Sequence, residues 1–225
     1  MKRHTLHKLI FSILLFAISF LVLFTSHKSS AFADWYSSTI YPLFVSSIGR
    51  FFGIFPFSVS EIGLYIFVIL LFLSLIRMLV ISIYKMYAQK KNPAWLGYGS
   101  SLLLLCGCLF TIYTFFCGIN YGHTSFAEKY HLESGQYTLA ELTSLCNELT
   151  DQLNTLSDSV DRDSDGLADM GKDLQGRART AMSSLGVTYP ELSGYYPQPK
   201  GLLFPAFLSV QNLSGIYSPF TIEAN

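Results

Sequence analysis

Charged side chains are scarce in this chain of 225 residues. Only 13% of the residues are Asp, Glu, Lys or Arg, whereas an ordinary soluble domain carries roughly a quarter. Hydrophobic residues make up 51% of the sequence, and the mean hydropathy is +0.38. This composition excludes an ordinary soluble protein and indicates a membrane protein whose main partner is the lipid bilayer.

Acidic residues are nearly missing from the first half in particular. Residues 1–119 contain nine Lys and Arg against two acids, and residues 120–225 contain six against thirteen, so the halves carry about +7 and −7. The acidic half excludes nucleic-acid binding, which needs a basic face. The asymmetry also predicts that the two halves lie in different compartments.

Cysteine is rare as well, and its four positions do not form a disulfide framework. Cys106, Cys108 and Cys117 lie in one hydrophobic segment and Cys146 lies in a predicted helix, whereas a small secreted scaffold clusters its cysteines in loops. The spacing of Cys106 and Cys108 is compatible with metal or redox chemistry. Small apolar side chains in a membrane helix are the favoured interpretation.

Three hydrophobic segments predict transmembrane helices over about 9–25, 62–84 and 96–119, since a crossing takes roughly 20 residues. The first segment is the shortest, and the Ala-Phe-Ala sequence at 31–33 resembles a signal-cleavage site, so a cleaved signal is the alternative to a retained span. Residues 35–57 are rich in aromatic rings but interrupted by serines. They are predicted to lie at the membrane surface.

Positive charges predict the orientation of the spans. Short basic segments prefer the cytoplasmic side, and two of them flank the predicted spans: Lys2, Arg3 and Lys8 before the first, and Lys85, Lys90 and Lys91 after the second. The third span then crosses from the cytoplasm to the outside, whether the first span is retained or cleaved as a signal. We predict a multi-pass cell-membrane protein with a cytoplasmic N-terminus, a membrane domain over 1–119 and an extracytoplasmic domain over 120–225.

Capping motifs mark the starts of two predicted helices. Ser58 and Glu61 form an S-x-x-E box before the second span, and Thr138 and Glu141 form a T-x-x-E box before an amphipathic helix of about 18 residues. Because that helix is shorter than three heptads, packing within its own domain is predicted rather than a coiled coil. The leucines on its apolar side are Leu139, Leu142, Leu145, Leu149, Leu153 and Leu156.

The remainder predicts a second helix over about 167–185, followed by short strands or extended segments at 202–210 and 216–222. The predicted fold class is therefore a mainly α membrane protein. It has three transmembrane helices plus a small, mostly helical exported domain with short C-terminal strands.

Four aspartates form the most distinctive local pattern: Asp161, Asp163, Asp165 and Asp169. Carboxylates at alternate positions, with Gly166 at the sixth, match the start of an EF-hand-type calcium loop. The twelfth position, which should supply a bidentate acid, is Lys172. A calcium site and a solvated turn that caps the next helix both remain open.

A family resemblance enters in the last thirty residues. Gly-Tyr-Tyr-Pro-Gln-Pro-Lys-Gly at 194–201 and Leu-Ser-Gly-Ile-Tyr-Ser-Pro-Phe-Thr-Ile-Glu-Ala-Asn at 213–225 are similar to a bacterial family catalogued only as domain of unknown function 3810. The stretches at 55–61 and 118–122 resemble earlier landmarks of that family. The resemblance implies a membrane-anchored protein with an exported zincin-like domain, in which a His-Glu-x-x-His helix follows the Glu-Ala-Asn sequence.

This chain contains no His-Glu-x-x-His sequence, so the resemblance carries over no catalytic residue. Zinc needs two imidazoles one helical turn apart and a third ligand, and it is expected only in a full-length relative. No cofactor is therefore predicted for this chain. The resemblance does imply an extended shelf that pairs with substrate backbone, and a buried strand with a conformational role is the alternative. The shelf residues would be Gly215, Ile216, Tyr217, Thr221, Glu223 and Asn225.

Two functions stay open at this point, and with them the question whether the protein is an enzyme. In the first, the chain is the N-terminal part of a membrane-anchored zinc-metallopeptidase-like protein, inactive as it stands. In the second, it is a non-catalytic, membrane-anchored envelope protein that binds a peptide or protein partner or acts as a scaffold, with calcium as a ligand. A transporter or channel is disfavoured because the three spans carry no paired intramembrane charges.

Overall fold

The computed structural model describes residues 3–88, 95–132, 135, 137–169, 171, 173–206, 210, 213 and 215–224. It confirms a mainly α-helical fold with three long apolar helices and two short strands near the C-terminus. The helices and strands follow in the order α1 (Arg3–Lys28), α2 (Ser30–Trp35), α3 (Tyr41–Phe44), α4 (Arg50–Gly53), α5 (Val59–Tyr87), α6 (Trp95–Phe116), α7 (Phe126–Lys129), α8 (Leu139–Ser157), α9 (Leu174–Thr188), β1 (Tyr217–Ser218) and β2 (Glu223–Ala224).

Helices α1, α5 and α6 are long and apolar enough to cross a membrane. Each contains one predicted span, although α6 ends before residue 119 because the chain tightens into a 3-10 turn over Gly118–Gly122. Their large apolar side chains are mostly exposed, as helices surrounded by lipid require. These helices indicate membrane association. The orientation of the spans stays a prediction, as does the retention of the first span rather than its cleavage as a signal.

Helices α1 and α6 pack side by side and run in the same direction. Along the pair, Ser12 and Ser19 of α1 are fully buried, and the Ser19 hydroxyl lies 3.0 Å from that of Thr111. Nearer the start of both helices, the Lys8 ammonium donates to the Ser101 hydroxyl at 2.7 Å. Small residues at seven-residue spacing let two membrane helices approach closely without a large apolar interface.

Glycine is required where the far ends of these helices meet. A Cβ atom at Gly122 would lie 2.3 Å from the backbone oxygen of Ser26, a distance that no side chain tolerates. One turn earlier, a Cβ atom at Gly118 would lie 2.6 Å from the Leu23 side chain. The 3-10 turn after α6 therefore depends on glycine for its contact with the end of α1.

The segment between α1 and α5 is helical but irregular. Two π-helical stretches, Tyr36–Ile40 and Val45–Gly49, separate the short helices α2, α3 and α4. Its first part contacts the end of α6 and the chain that follows it. The Tyr36 hydroxyl donates to the Phe115 carbonyl at 2.6 Å, and the Asp34 carboxylate accepts from the Thr124 amide at 2.8 Å. The predicted surface location of residues 35–57 stays a prediction.

The chain divides into two compact units. One contains Met1–Thr124 together with Ala181–Asn225, and the other contains Ser125–Thr180. The C-terminal segment thus packs with the membrane helices. The two units do not test the prediction that residues 1–119 form a membrane domain and residues 120–225 lie outside the cytoplasm. That division stays a prediction.

In the second unit, α8 begins and ends where the capping box and the leucine periodicity predict. Its leucines are 49–80% exposed, so the expected packing of this face within its own domain is not observed among the described residues. Helix α9 begins at Leu174 rather than near 167. The reason is that residues 161–169 fold back on themselves through an antiparallel bridge between Arg162 and Ala168.

The C-terminal strands are shorter than predicted. Strands β1 and β2 pair antiparallel, with Tyr217 opposite Ala224 and Ser218 opposite Glu223. Residues 219–222, predicted to be extended, form the turn between them, closed by a 2.8 Å hydrogen bond from the Ile222 amide to the Ser218 carbonyl. The predicted stretch over 202–210 lies partly outside the described residues.

Candidate functional site at the start of α5

The first turn of α5 is where distant parts of the chain converge. Ser58 is in an extended conformation, and its hydroxyl accepts from the Glu61 amide at 3.2 Å, which starts the helix at Val59. A helix start leaves several backbone N–H groups without intrahelical partners and carries a partial positive charge. It is therefore a place where a carboxylate can be held.

The carboxylate held there belongs to Glu223 of β2. Its two oxygens accept from the backbone N–H groups of Val59 at 3.2 Å and Ser60 at 2.7 Å. Glu223 is only 2% exposed. The contact joins residues more than 160 positions apart in sequence, and it fixes the C-terminal hairpin to the start of a membrane helix.

Lys200 supplies the opposite charge. Its ammonium lies 2.5 Å from the Glu223 carboxylate and donates to the Phe52 carbonyl at 2.6 Å. Its backbone amide donates to the Ala224 carbonyl at 3.0 Å, so the chain at residue 200 lies along the free side of β2. A buried ion pair needs such additional hydrogen bonds, because desolvation otherwise exceeds the attraction between the charges.

Glu61 makes the reciprocal contact. In a closed capping box its carboxylate would return to the Ser58 amide. It accepts instead from the Leu203 amide at 2.7 Å and the Phe204 amide at 3.1 Å, and the Tyr65 hydroxyl donates to it at 2.8 Å. Only the Ser58 half of the predicted box is observed. We call Glu61, Lys200, Glu223 and the Ser58–Ser60 backbone the Glu223 cluster.

The electrostatics of the Glu223 cluster favour the charged form of Glu223. Burial acts to raise the pKa of this carboxyl, but the hydrogen bonds from Lys200 and from the Ser60 and Val59 amides outweigh it. The pKa of Glu223 consequently lies below its ordinary value, and the ion pair is present at neutral pH.

The turn beside Glu223 is strained. Ile222 has a φ of 56°, a left-handed conformation that a β-branched residue rarely adopts and that costs roughly 1–3 kcal/mol. The side chain is 1% exposed, and its Cγ2 atom lies 3.7 Å from the position of a Cβ atom on Gly49. Burial against the irregular segment holds the strained residue in place.

Aromatic contacts complete the attachment of the C-terminal segment. The hydroxyl groups of Tyr41 and Tyr217 lie 2.7 Å apart, and burial together with the Tyr41 hydroxyl raises the pKa of Tyr217. The Arg50 guanidinium lies 4.8 Å from the centre of the Tyr195 ring. Both contacts join residues 41–50 to the C-terminal segment, and none of these pairings was predicted from the sequence.

The predicted shelf residues are brought together in part. Tyr217 lies in β1, Thr221 in the turn and Glu223 in β2, whereas Gly215 and Ile216 precede β1 without regular structure. Glu223 faces the cluster and is buried. Asn225 lies outside the described residues. A substrate-holding role for the six residues stays a prediction.

The aspartate-rich loop forms a tight turn around Gly166, whose φ of +78° requires glycine. The Asp163 carboxylate accepts from the Asp165 and Leu167 amides at 3.0 and 2.9 Å, and the Asp169 carboxylate accepts from the Gly171 amide at 2.8 Å. Asp161 contributes its carbonyl to the Asp169 amide. Lys172 lies outside the described residues, and calcium binding by the four aspartates stays a prediction.

The expectation that zinc belongs only to a full-length relative, and that this chain holds no cofactor, stays a prediction. Within the part of the chain that the structure describes, no three His, Cys, Asp or Glu side chains are placed to hold a metal ion.

Sequence reasoning did not identify the Glu223 cluster, although the signal was present. Two of the stretches that carried the family resemblance, 55–61 and 194–225, contain every member of the cluster. The third stretch, 118–122, packs against the end of α1.

Comparison with known proteins agrees with that resemblance. The model of the family described as "Protein of unknown function (DUF3810)" matches residues 36–225. No curated protein and no solved structure matches the chain. Since the match covers most of its length, the chain belongs to this family.

Proposed function

We propose that this member of the DUF3810 family is the membrane-anchoring part of a zinc-metallopeptidase-like protein, and that its C-terminal hairpin holds a peptide substrate beside the membrane. The observation that supports the proposal is the fixation of the hairpin by the Glu223 cluster. A carboxylate of β2 is bound by the first turn of a membrane helix, with a buried lysine as counter-ion.

A shelf for an extended peptide must have a fixed position and an unpaired edge. The cluster provides the first property: Glu223 binds the start of α5, and Glu61 of α5 binds the backbone at residues 203 and 204. Strand β1 provides the second, because β2 is its only strand partner among the described residues. An extended peptide can add to such an edge through backbone hydrogen bonds.

The proposed orientation places this shelf outside the cytoplasm. Arg3 and Lys8 lie at the start of α1, and Lys85 lies in the last turn of α5, which fits a cytoplasmic location for those ends. The parallel packing of α1 and α6 is compatible with that arrangement. The start of α5 and the hairpin then lie at the outer surface, where exported peptides are encountered.

The chain itself supplies no catalytic residue in this proposal. The zinc ligands would be those of a His-Glu-x-x-His helix, which the sequence of 225 residues does not contain. The role assigned to the chain is to anchor and to position the substrate backbone.

Peptide binding tests the shelf. The full chain in detergent micelles is titrated against fluorescent extended peptides, and anisotropy reports binding. We expect Tyr217→Pro to abolish binding, because the Tyr217 N–H points to the free edge of β1, as the backbone of its partner Ala224 points to Lys200, and proline removes this donor. Leu213→Pro, placed just before the shelf residues, is the matched control and should bind like the unmodified chain. Absence of binding by the unmodified chain, or equal loss in both variants, contradicts the shelf.

The peptidase part of the proposal has a separate test in the coding sequence. The reading frame after the Asn225 codon is expected to continue into His-Glu-x-x-His. A stop codon there, in an intact and expressed locus, contradicts the enzymatic assignment. It would leave the alternative of a non-catalytic, membrane-anchored binding or scaffold protein, for which the peptide titration remains informative.

A further inference from the structure

Helix α8 carries an exposed apolar stripe that the proposed function does not use. Its leucines are 49–80% exposed although the helix is strongly amphipathic in sequence. An amphipathic helix whose apolar face meets water is normally covered by a partner. The question is what chemistry that partner has.

The stripe follows a heptad pattern. With Leu139 as the first a position, the a positions of α8 are Leu139, Cys146 and Leu153, and the d positions are Leu142, Leu149 and Leu156. Apolar residues at a and d form the seam through which helices of a coiled coil pair, and leucine is favoured at d in two-stranded pairs.

The charges of α8 show which partner fits. The helix contains three acids, Glu141, Glu148 and Asp151, and no basic residue. None of the acids lies beside the seam: two occupy c positions and one an f position, on the opposite side of the helix. The flanking e and g positions hold uncharged residues, namely Thr143, Leu145, Thr150, Gln152 and Ser157.

This distribution disfavours two other kinds of partner. An anionic lipid surface would repel a helix whose only charges are acidic. A basic protein partner would be recognised by acids that flank the seam, and those positions are neutral. A second copy of the same helix meets no like charge across the seam, because the acids of both copies point away from it.

We propose that α8 is a self-association surface through which two copies of this chain pair in the membrane. The seam has only about two and a half heptads, too few for a stable coiled coil in dilute solution. Anchoring by α1, α5 and α6 confines the copies to one bilayer and raises their effective concentration. Pairing is therefore a property of the membrane-bound chain.

Cys146 reports on the pairing directly. It is a free, exposed thiol at an a position of the seam, and it lies two residues from the centre of Leu139–Ser157. It therefore faces its counterpart in a parallel pair, and in an antiparallel pair centred on the helix the two thiols lie about one turn apart, still within reach of a short cross-linker.

The experiment uses the full chain reconstituted in liposomes, with Cys106, Cys108 and Cys117 changed to alanine. A short bis-maleimide should join Cys146 of two copies and give a product of twice the chain mass. The matched control moves the thiol to the opposite side of the helix in C146S together with S144C, an f position, and should stay monomeric.

Leu149→Asn at d should lower the yield about tenfold or more by removing a buried leucine from the seam, whereas Thr155→Asn at c should leave it unchanged.

Two results would overturn the proposal. Equal cross-linking from positions 144 and 146 would show random collision rather than a seam. A Cys146 chain that stays monomeric at high protein-to-lipid ratio would show that something other than a second copy covers the stripe, such as lipid or a different protein.

Discussion

Helices α5 and α8 begin with the same four-residue capping pattern, but they use it differently. At α8, the Glu141 carboxylate returns to the Thr138 amide at 2.7 Å and the box closes. At α5, the Glu61 carboxylate binds residues 203 and 204 instead, and Glu223 binds the first amides of the helix. The comparison teaches that the motif determines where a helix starts, whereas the surrounding chain determines which carboxylate serves it.

The environments of the two helix starts account for the difference. The box at α8 is exposed, and no distant segment of the described chain competes for its carboxylate. The start of α5 is buried beneath the C-terminal segment. Backbone N–H groups that water does not reach need acceptors from the protein. A buried helix start therefore couples to tertiary structure, and an exposed one remains local.

The largest expected effect comes from Glu223→Gln. This change leaves the Lys200 ammonium buried without its counter-ion, and breaking a buried pair in this way costs about 3–5 kcal/mol. We expect a large drop in the denaturation midpoint of the full chain in detergent micelles. Glu141→Gln at the exposed box is the matched control, with a much smaller shift. Equal shifts in the two variants would contradict the distinction between the helix starts.

Lowering the pH should remove the stabilisation by the Glu223–Lys200 ion pair from the unmodified chain. Because the pKa of Glu223 is depressed in the folded state, its contribution is complete above the ordinary value of 4.5 and is lost as pH falls through the folded-state pKa. The difference in unfolding temperature between the unmodified chain and Glu223→Gln should therefore close only below pH 4.5. A difference that stays constant down to pH 3 would show that the charge of Glu223 does not stabilise the fold.

Thr138→Ala should have a smaller, local effect. Loss of an N-cap side chain costs about 1 kcal/mol, and here it should reduce the helicity of α8 without releasing the C-terminal segment. Circular dichroism measures the first, and protease resistance of residues 195–224 measures the second. Release of that segment by Thr138→Ala would show that the two helix starts are not independent.

The smallest effect is expected from calcium at the aspartate-rich loop. Predicted ligands at Asp161, Asp163, Asp165 and Asp169 lack an acid at the twelfth loop position, so any binding should be weak, in the range of about 0.1–1 mM for extracellular modules. Calorimetry on the full chain in detergent tests this. Asp163→Asn should abolish the heat, and Asp151→Asn in α8 serves as the control. No heat at millimolar calcium ends the calcium prediction.

Much of the fold follows from local sequence. The three membrane helices follow from the length of apolar runs, and the bounds of α8 follow from its capping box and leucine spacing. The start of α9 was misplaced because the bridge between Arg162 and Ala168 depends on a turn that competes with helix formation. Residues 219–222 were predicted to be extended, but the strained conformation of Ile222 depends on burial against Gly49.

The site was harder to predict, because its contacts between α5 and the C-terminal segment join residues more than 140 positions apart in sequence. From the sequence, Glu61 is expected to cap its own helix. The motif does not show that its carboxylate instead accepts from the backbone amides of Leu203 and Phe204. Lys200 is an ordinary charged residue until the structure buries it beside Glu223. The resemblance to a family identified the right stretches without identifying the contacts between them.

Hydrogen exchange at four backbone amides tests the central claim most directly. Val59 and Ser60 donate to Glu223, and Leu203 and Phe204 donate to Glu61. Amides of a first helical turn are otherwise without intrahelical acceptors and exchange rapidly. We predict that all four are protected in the full chain in micelles and that Glu223→Gln strongly reduces protection at Val59 and Ser60. Exchange of all four in the unmodified chain at the rate of an unstructured peptide would contradict reciprocal binding between α5 and the C-terminal segment.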